Sequence, residues 1–172
     1  MAIVKLHSRN INLKCKLAIF GMTEYALSRL IPSKRLRDNL MINIHLRHHS
    51  NEGEAKIDSE TNRYRPRSFR IYLDHHRMNT NEMTGETRTD VEWFVEILKT
   101  LAHELVHVKQ YVMGELRWRD AGLLYKGINH DPENLEEYFE LPYEIEAYGR
   151  EKGLLYGFLK VWAGIESELD LD

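Results

Sequence analysis

The sequence has 172 residues, of which 42% are hydrophobic and 30% are charged, a composition typical of one folded domain and not of a disordered chain. Its 24 basic and 27 acidic residues leave a net charge of -3, which gives no general attraction for nucleic acid or anionic lipid. There is no apolar run near the roughly 20 residues of a membrane span, no secretory signal core, and only one cysteine, Cys15. We therefore expect a soluble cytoplasmic protein with a single domain over residues 1–172.

The first half of the sequence is predicted to contain short strands and one helix. The helix covers residues 17–31 and ends there because Pro32 cannot continue it. Apolar and polar residues alternate in the predicted strands. The strands lie at residues 1–6, 41–46 and 69–73. The polar stretch at residues 47–67 is predicted to be a loop.

The second half is predicted to contain two long helices. The first runs from Asp90, a suitable N-cap, to about Met113, because Gly114 follows. The second opens at Pro142, a favourable first helical residue, and reaches about residue 162. The stretches before and between them, residues 79–90 and 115–141, are predicted to be loops, the second with one helical turn. This order predicts an α+β domain with a small sheet.

Residues 103–107 read His-Glu-Leu-Val-His within the first of these helices. Residues four apart in a helix lie one turn apart on the same side, so the imidazoles of His103 and His107 can reach one metal ion. Glu104 lies about 100° around the helix from His103, near enough to hold a carboxylate beside a water molecule at that ion. Zinc lowers the pKa of such a water toward about 7. The pattern therefore predicts a catalytic zinc site with Glu104 as general base.

On a helical wheel, most apolar residues of this helix lie on the side opposite the two histidines. They include Phe94, Ile97, Leu98, Leu101, Leu105, Val108 and Val112. The histidines share a narrower face with Thr100 and Gln110, and Gln110 either hydrogen-bonds to the ligands or faces water. A helix buried along one side would thus offer both histidines to a cleft on the other.

Catalytic zinc takes three protein ligands and leaves one position open, so a third ligand is needed. The last predicted helix offers Glu144 and Glu146, which lie about 200° apart around a helix, so only one can face the metal. We predict Glu144, at the margin of the side expected to pack, as the ligand and Glu146 as solvated or salt-bridged. That packed side is expected to contain Ile145, Tyr148, Leu155, Tyr156, Leu159, Trp162 and Ala163. His130 is the alternative third ligand.

A basic cluster surrounds Tyr64 in the predicted loop before residue 69. It consists of Arg63, Arg65, Arg67 and Arg70. Basic residues mixed with an aromatic ring can contact nucleic acid. The balanced net charge favours a solvated loop instead.

The pattern with Glu104 at its second position, followed 37 residues after His107 by Glu144-Ile-Glu-Ala147, resembles the gluzincin class of zinc peptidases. The resemblance covers roughly residues 69–157 and is closest to minigluzincins and to phage-type metallopeptidases. It implies that His103, His107 and Glu144 hold Zn²⁺ and that Glu104 is the general base. Ala147 would let the last helix approach its neighbour closely.

The resemblance also implies a minimal zincin scaffold. This is a small twisted, mostly antiparallel β-sheet with an edge strand over the active-site helix, followed by a C-terminal helix that carries the glutamate. Residues 69–73 are the expected edge strand, along which an extended peptide would pair. Several members of the family have Asp or Asn at the position of Tyr148, and that Asp or Asn supports the first histidine. We expect Tyr148 to point at the substrate oxyanion instead.

These observations predict a zinc metallopeptidase, expected to be an endopeptidase, with peptide or protein substrates and no membrane partner. Two alternatives remain open: a zinc-binding protein without catalysis, and a nucleic-acid-associated accessory protein similar to SprT-like proteases. Glu104 argues against the first, because a structural zinc site needs no acid beside its first histidine. The balanced charge argues against nucleic acid, and steep salt dependence of duplex binding would favour it.

Overall fold

The computed structural model describes residues 1–8, 11–58, 64–80, 84–119, 122–130 and 135–169. The elements in these ranges are β1 (Ile3–His7), α1 (Leu13–Leu30), α2 (Lys34–Asp38), β2 (Met41–Leu46), β3 (Gly53–Ile57), β4 (Ser68–Leu73), α3 (Asp90–Met113), β5 (Leu116–Arg119), β6 (Gly122–Tyr125), β7 (Ile128–Asn129), α4 (Leu135–Glu140) and α5 (Pro142–Leu169). A short 3₁₀ turn, Arg77–Asn79, follows β4. None of the described helices combines the length and the apolar character that crossing a bilayer requires.

The predicted long helix α3 is present with the predicted bounds. Its N-cap is Thr89 and not Asp90: the Thr89 hydroxyl accepts the Glu92 backbone N–H, and the Glu92 carboxylate accepts the Thr89 backbone N–H. This capping box pairs two backbone donors at the helix start. At the other end Gly114 adopts a φ of 72°, the left-handed conformation that terminates helices.

The other two predicted helices are present but longer. α1 begins at Leu13, four residues earlier than predicted, because the Asn12 side chain accepts the Cys15 backbone N–H and caps it. α5 continues beyond residue 162 to Leu169. The predicted helical turn before α5 corresponds to α4.

The main sheet is mixed, with the strand order β1-β2-β4-β3 among the described residues. The pairs β1–β2 and β2–β4 are parallel, and only β3–β4 is antiparallel. The expectation of a mostly antiparallel sheet was therefore wrong for this sheet. The long connection through α1 and α2 lets β2 return parallel to β1, as a helical crossover does.

The edge strand that lies against α3 is β3, not residues 69–73 as predicted. The predicted strand is β4, which lies inside the sheet between β2 and β3. β3 falls within the stretch that we expected to be a loop. Its register places Gly53 opposite Leu73 and Ile57 opposite Phe69.

The core lies between the inner face of this sheet and the helices α1 and α3. Strands β2 and β4 contribute Ile42, Ile44, Phe69 and Ile71, α1 contributes Ala18, Met22 and Ala26, and α3 contributes Leu98, Leu101, Leu105 and Val108, all of them buried. The apolar side of α3 therefore packs as its wheel predicted. The opposite side of α3, which carries the two histidines, packs against α5.

The predicted packed side of α5 was wrong in part: Leu155 and Trp162 are buried as predicted, but other members of that side are not. Ile145, Tyr148 and Tyr156 are 57%, 42% and 64% exposed. The buried stripe instead follows Glu144, Ala147, Glu151, Leu155, Phe158 and Trp162, spaced three or four residues apart. Two of its members are acidic, so the pattern of apolar residues in the sequence does not identify the stripe. These acids are buried because each contacts a histidine of α3.

The stretch at residues 115–141, predicted to be mostly loop, contains a second small sheet. Its antiparallel strands have the order β5-β6-β7 in the described ranges. The hairpin of β5 and β6 stands beside the C-terminal half of α3, and α4 precedes α5. Together they enclose the side of α3 that carries the histidines.

Candidate metal centre

Three predicted ligand side chains meet where α3 and α5 cross. The Nε2 atom of His103 lies 3.2 Å from the Nε2 atom of His107 and 3.2 Å from Oε2 of Glu144. Oε1 of Glu144 lies 3.5 Å from Nε2 of His107. One donor atom from each residue therefore falls within 4.8 Å of the others, and this group could hold a metal ion. Its two imidazoles and one carboxylate are the donor set of many catalytic zinc sites.

Glu144 contacts the histidines because α5 packs closely on α3. Glu144 lies in the first turn of α5, where the helix dipole favours a negative charge. One turn later Ala147 is fully buried, and its small side chain permits the close approach that the sequence predicted. The side-chain amide of Gln110 donates to the Tyr143 carbonyl and ties the start of α5 to α3.

Gln110 also determines which nitrogen of His107 faces the site. Its Nε2 donates to the Tyr143 carbonyl at 2.9 Å and to Glu146 at 3.1 Å. Since a carbonyl can only accept, the amide orientation is fixed, and Oε1 faces Nδ1 of His107 at 2.9 Å. The proton of neutral His107 therefore lies on Nδ1, and the Nε2 lone pair faces Glu144 and His103. Of the two interpretations of Gln110, the hydrogen bond to a predicted ligand, His107, is the one that the structure shows.

Glu151 plays the corresponding part for His103, and the sequence analysis missed it. Its Oε2 lies 3.0 Å from Nδ1 of His103, and both side chains are buried. The carboxylate accepts the Nδ1 proton, so the Nε2 lone pair is left for the site. Glu151 lies seven residues after Glu144, close to two helical turns, so the two acids share one face of α5. That spacing was the available signal.

The charges in the cluster stabilise one another. Burial opposes a charge on His103, but hydrogen bonds to Glu144 and Glu151 raise its pKa to about 9. Burial likewise disfavours the Glu144 carboxylate, but hydrogen bonds from His103 and His107 lower its pKa to about 2. Without a metal, His103 is therefore protonated at neutral pH, and its Nε2 proton faces Glu144. A metal cation would replace that proton at the same lone pairs.

Glu104 lies beside the three donor residues and faces β3. Its carboxylate accepts the backbone N–H of Ala55, and it is only 4% exposed. A Cβ atom at Gly53 would lie 2.5 Å from its Oε1, so β3 passes directly over it. Burial raises the pKa of Glu104 despite the nearby histidines. A carboxylate with a raised pKa is suited to taking and returning a proton.

Tyr138 and Tyr148 are among the tyrosines that line the same space. The Tyr138 hydroxyl, on α4, donates to Oε1 of Glu144 at 2.6 Å. The Tyr148 ring makes an edge contact with His103, with 4.5 Å between the ring centroids. Burial raises the pKa of both phenols, that of Tyr148 to about 12, so both remain protonated at neutral pH and can donate. Tyr148 was the tyrosine favoured from the sequence, whereas the hydroxyl with a hydrogen bond to Glu144 belongs to Tyr138.

The two alternative third ligands lie outside the group. Glu146 forms ion pairs with Lys109 at 2.8 Å and Arg150 at 2.9 Å, as predicted for a salt-bridged side chain. Burial opposes its charge, but Lys109 and Gln110 lower its pKa to about 2. His130 follows β7 and is not among the described residues that meet at the site.

The site opens into a cleft between β3 and the β5–β6 hairpin. A cavity of about 260 Å³ is lined by Ala55, Glu104, His107, Leu116, Leu123 and Tyr138. A second cavity of about 560 Å³ lies on the side of His103, Tyr148 and Glu151. Both are lined by Gly53 and Glu104, so they form one cleft that passes the metal centre.

β3 presents backbone groups along this cleft. The Glu52 carbonyl and the Asp58 N–H bond to β4. Backbone groups in a strand alternate in direction, so those of Gly53, Ala55 and Ile57 point away from β4. The Ala55 N–H, which reaches Glu104, agrees with that alternation.

The comparisons with known proteins give no match. No family model matches the chain, and no curated protein or solved structure is significantly similar to it. The resemblance to gluzincins therefore stays a prediction from the residues quoted above.

Proposed function

We propose that this protein is a zinc-dependent peptidase. The observation that carries the proposal is the convergence of two histidine Nε2 atoms and the Glu144 carboxylate, with a fourth side chain, Glu104, buried beside them. A purely structural site would be complete with its ligands alone. Glu104 adds an acid that contacts the edge strand and is placed for proton transfer.

The donor set fits zinc. Both Nδ1 atoms face acceptors on other residues, so both Nε2 lone pairs converge on the Glu144 carboxylate. His103, His107 and Glu144 would hold the ion, leaving a position open toward the cleft. Zinc in such a site supplies Lewis acidity, which polarises a carbonyl and lowers the pKa of water toward about 7.

The residues of the chain supply the remaining chemistry. An extended peptide pairs with the outward backbone groups of β3 and lies across the cleft. Glu104 takes a proton from the attacking water and returns it to the amine that leaves. A phenol donates a hydrogen bond to the carbonyl oxygen as negative charge develops there. We assign that role to Tyr138 before Tyr148, because the Tyr138 hydroxyl already lies 2.6 Å from Glu144.

The proposal is tested with zinc-loaded protein and a proteome-derived peptide library, with cleavage followed by mass spectrometry. We expect Glu104→Gln to bind zinc with unchanged affinity and to cleave at least about 10²-fold more slowly, because the base is lost. His103→Ala should lose the metal. Tyr138→Phe should lower kcat at least about tenfold, and more than Tyr148→Phe does.

Glu168→Gln is the matched control, because Glu168 is an exposed acid far along α5. It should change neither zinc affinity nor cleavage. If Glu104→Gln cleaves at the normal rate, Glu104 is not the base. If the wild-type protein binds zinc tightly but no library peptide is cleaved, the non-catalytic zinc-binding alternative replaces the proposal.

A further inference from the structure

Four arginines converge beyond one end of the cleft. Arg65 and Arg67 come from the segment before β4, and Arg117 and Arg119 come from β5. They line a cavity of about 320 Å³ together with Tyr64, Val112, Met113 and Gly114. We call this cavity the arginine pocket. The two segments that supply the arginines are about 50 residues apart in the sequence, so the fold brings the charges together.

Among the described residues, none of the four arginines forms an ion pair with a carboxylate. Arg67 and Arg117 donate to the backbone carbonyls of Pro66 and Gly114, and Arg119 lies over the Tyr64 ring at 5.0 Å. The contact with Gly114 places Arg117 at the C-terminus of α3, where a cation is favourable. That effect does not explain the other three.

The arginine pocket continues the cleft along α3. β3 and α3 run in the same direction, because Gly53 lies against Thr100 and Glu104. At the other end of β3, Ile57 pairs with Phe69, whose ring centroid lies 6.3 Å from that of Tyr111. The cavity at the metal centre lies over Glu104, His107 and Tyr111, and the arginine pocket lies over Val112 to Gly114. The segment from β3 to β4 forms one wall and β5 the other in both. A peptide extended past Ile57 would therefore lead toward the arginines.

The two ends of the cleft differ in charge. The cavity on the His103 side is lined by four acids, Glu52, Glu96, Glu104 and Glu151, and by two bases, Arg77 and Lys99. Among the described residues, the charged side chains that line the arginine pocket are all arginines. An acidic side chain is therefore attracted to the arginine end and repelled from the other, which gives a bound peptide a preferred direction.

We propose that the arginine pocket binds an acidic side chain of the peptide substrate. This inference rests on the proposed peptidase function. Gly114 lies seven residues after His107, about 10 Å along the helix, and an extended peptide advances about 3.3 Å per residue. The acidic residue therefore lies about three residues from the scissile bond. Guanidinium groups bind carboxylates through paired, charge-assisted hydrogen bonds, so the pocket selects Asp or Glu over their amides.

The test uses synthetic decapeptides of Ala and Leu with a single Glu moved one position at a time, and a matched set with Gln. Zinc-loaded protein should cut the Glu peptides at a bond that moves with the acid and stays about three residues from it. We expect kcat/KM for the Glu set to exceed that for the Gln set about tenfold. Arg65→Gln/Arg119→Gln should lower kcat/KM for the Glu set to the value for the Gln set. Arg29→Gln/Arg35→Gln, on α1 and α2, removes the same charge elsewhere and should preserve the preference for Glu.

A binding measurement separates this inference from the peptidase proposal. Fluorescein-labelled decapeptides are titrated onto the Glu104→Gln variant, and the Glu set should bind about tenfold tighter than the Gln set. If the wild-type protein cleaves nothing but this preference is present and needs the arginines, the peptidase proposal fails and the pocket stands. If cleavage occurs with no preference for Glu, the pocket proposal is overturned. The pocket proposal is also overturned if single-stranded DNA binds tighter than every Glu peptide and Arg65→Gln/Arg119→Gln loses only the DNA binding. A third contrary result would be that Arg65→Gln/Arg119→Gln changes only the melting temperature.

Discussion

His103 and His107 have different partners behind them, and this difference has consequences for metal binding. Glu151 places a negative charge against Nδ1 of His103, whereas Gln110 places a neutral amide oxygen against Nδ1 of His107. Both fix the tautomer, but only the carboxylate makes its imidazole a stronger donor and offsets the charge of a bound cation. His103 should therefore contribute more to zinc affinity through its partner than His107 does.

Glu151→Gln tests this difference, because the amide keeps an acceptor near His103 while it removes the charge. We expect the zinc affinity, measured by competition with a chelator, to fall about tenfold. Glu168→Gln, an exposed acid on the same helix, should leave it unchanged. An unaltered dissociation constant in Glu151→Gln would mean that the hydrogen bond alone, without its charge, supports His103.

At the scale of elements, β3 sits so close to α3 that one residue of it must be glycine. A Cβ atom at Gly53 would lie 2.5 Å from Oε1 of Glu104 and 2.6 Å from Cγ2 of Thr100. Contacts of that length are not tolerated, and the branched Thr100 side chain has little freedom to move. An added methyl group would push either the edge strand or the carboxylate out of place.

We therefore expect Gly53→Ala to lower the free energy of unfolding by about 1–3 kcal/mol, as overpacking does, and to reduce kcat while zinc stays bound. Gly149→Ala is the matched control: nothing lies within 4 Å of its added Cβ, and it is an exposed position inside α5. It should raise stability by up to about 1 kcal/mol, because Ala is the better helix former. Urea denaturation and peptide cleavage measure both. If Gly53→Ala retains full stability and activity, β3 is not held against Glu104.

Which elements the sequence can predict depends on where their stability comes from. α3 was predictable because its apolar stripe and the Gly114 stop are written in consecutive residues. β3 was not, because a strand of five residues with only Ala55 and Ile57 facing inward is defined by its pairing with β4. The spacing within α3 predicted that His103 and His107 share a face. The seven-residue spacing of Glu144 and Glu151 indicates that both acids share one face of α5, but the contact of Glu151 with His103 depends on how α3 and α5 cross.

At the scale of the whole molecule, the buried polar cluster makes the stability of the fold depend on pH at both acid and alkaline values. Hydrogen bonds and ion pairs lower the pKa values of Glu144 and Glu146 to about 2, against burial, from an ordinary value of 4.5. These carboxylates stabilise the fold above about pH 4.5, and that stabilisation is lost as the pH falls toward 2. His103 affects stability at alkaline pH, because its pKa of about 9 lies above the ordinary value of 6.5. Its protonated form stabilises the metal-free fold fully below about pH 6.5, and this contribution is lost as the pH rises through 9.

Metal-free and zinc-loaded protein should consequently respond to pH in opposite ways. In EDTA we expect the free energy of unfolding to fall between pH 6.5 and 9, by on the order of 3 kcal/mol at most, as His103 loses its proton. Zinc must displace that proton to reach Nε2, so its affinity rises over the same interval and the stabilisation by zinc grows. Calorimetric melting at pH 6.5, 7.5 and 8.5, with EDTA or with a fixed excess of zinc, measures both trends. His103→Gln should flatten both of them, because neither the proton nor the metal then finds its donor. Parallel curves for the wild-type protein in EDTA and in zinc would show that proton and metal do not compete for His103, and the assignment of His103 as a ligand would fall.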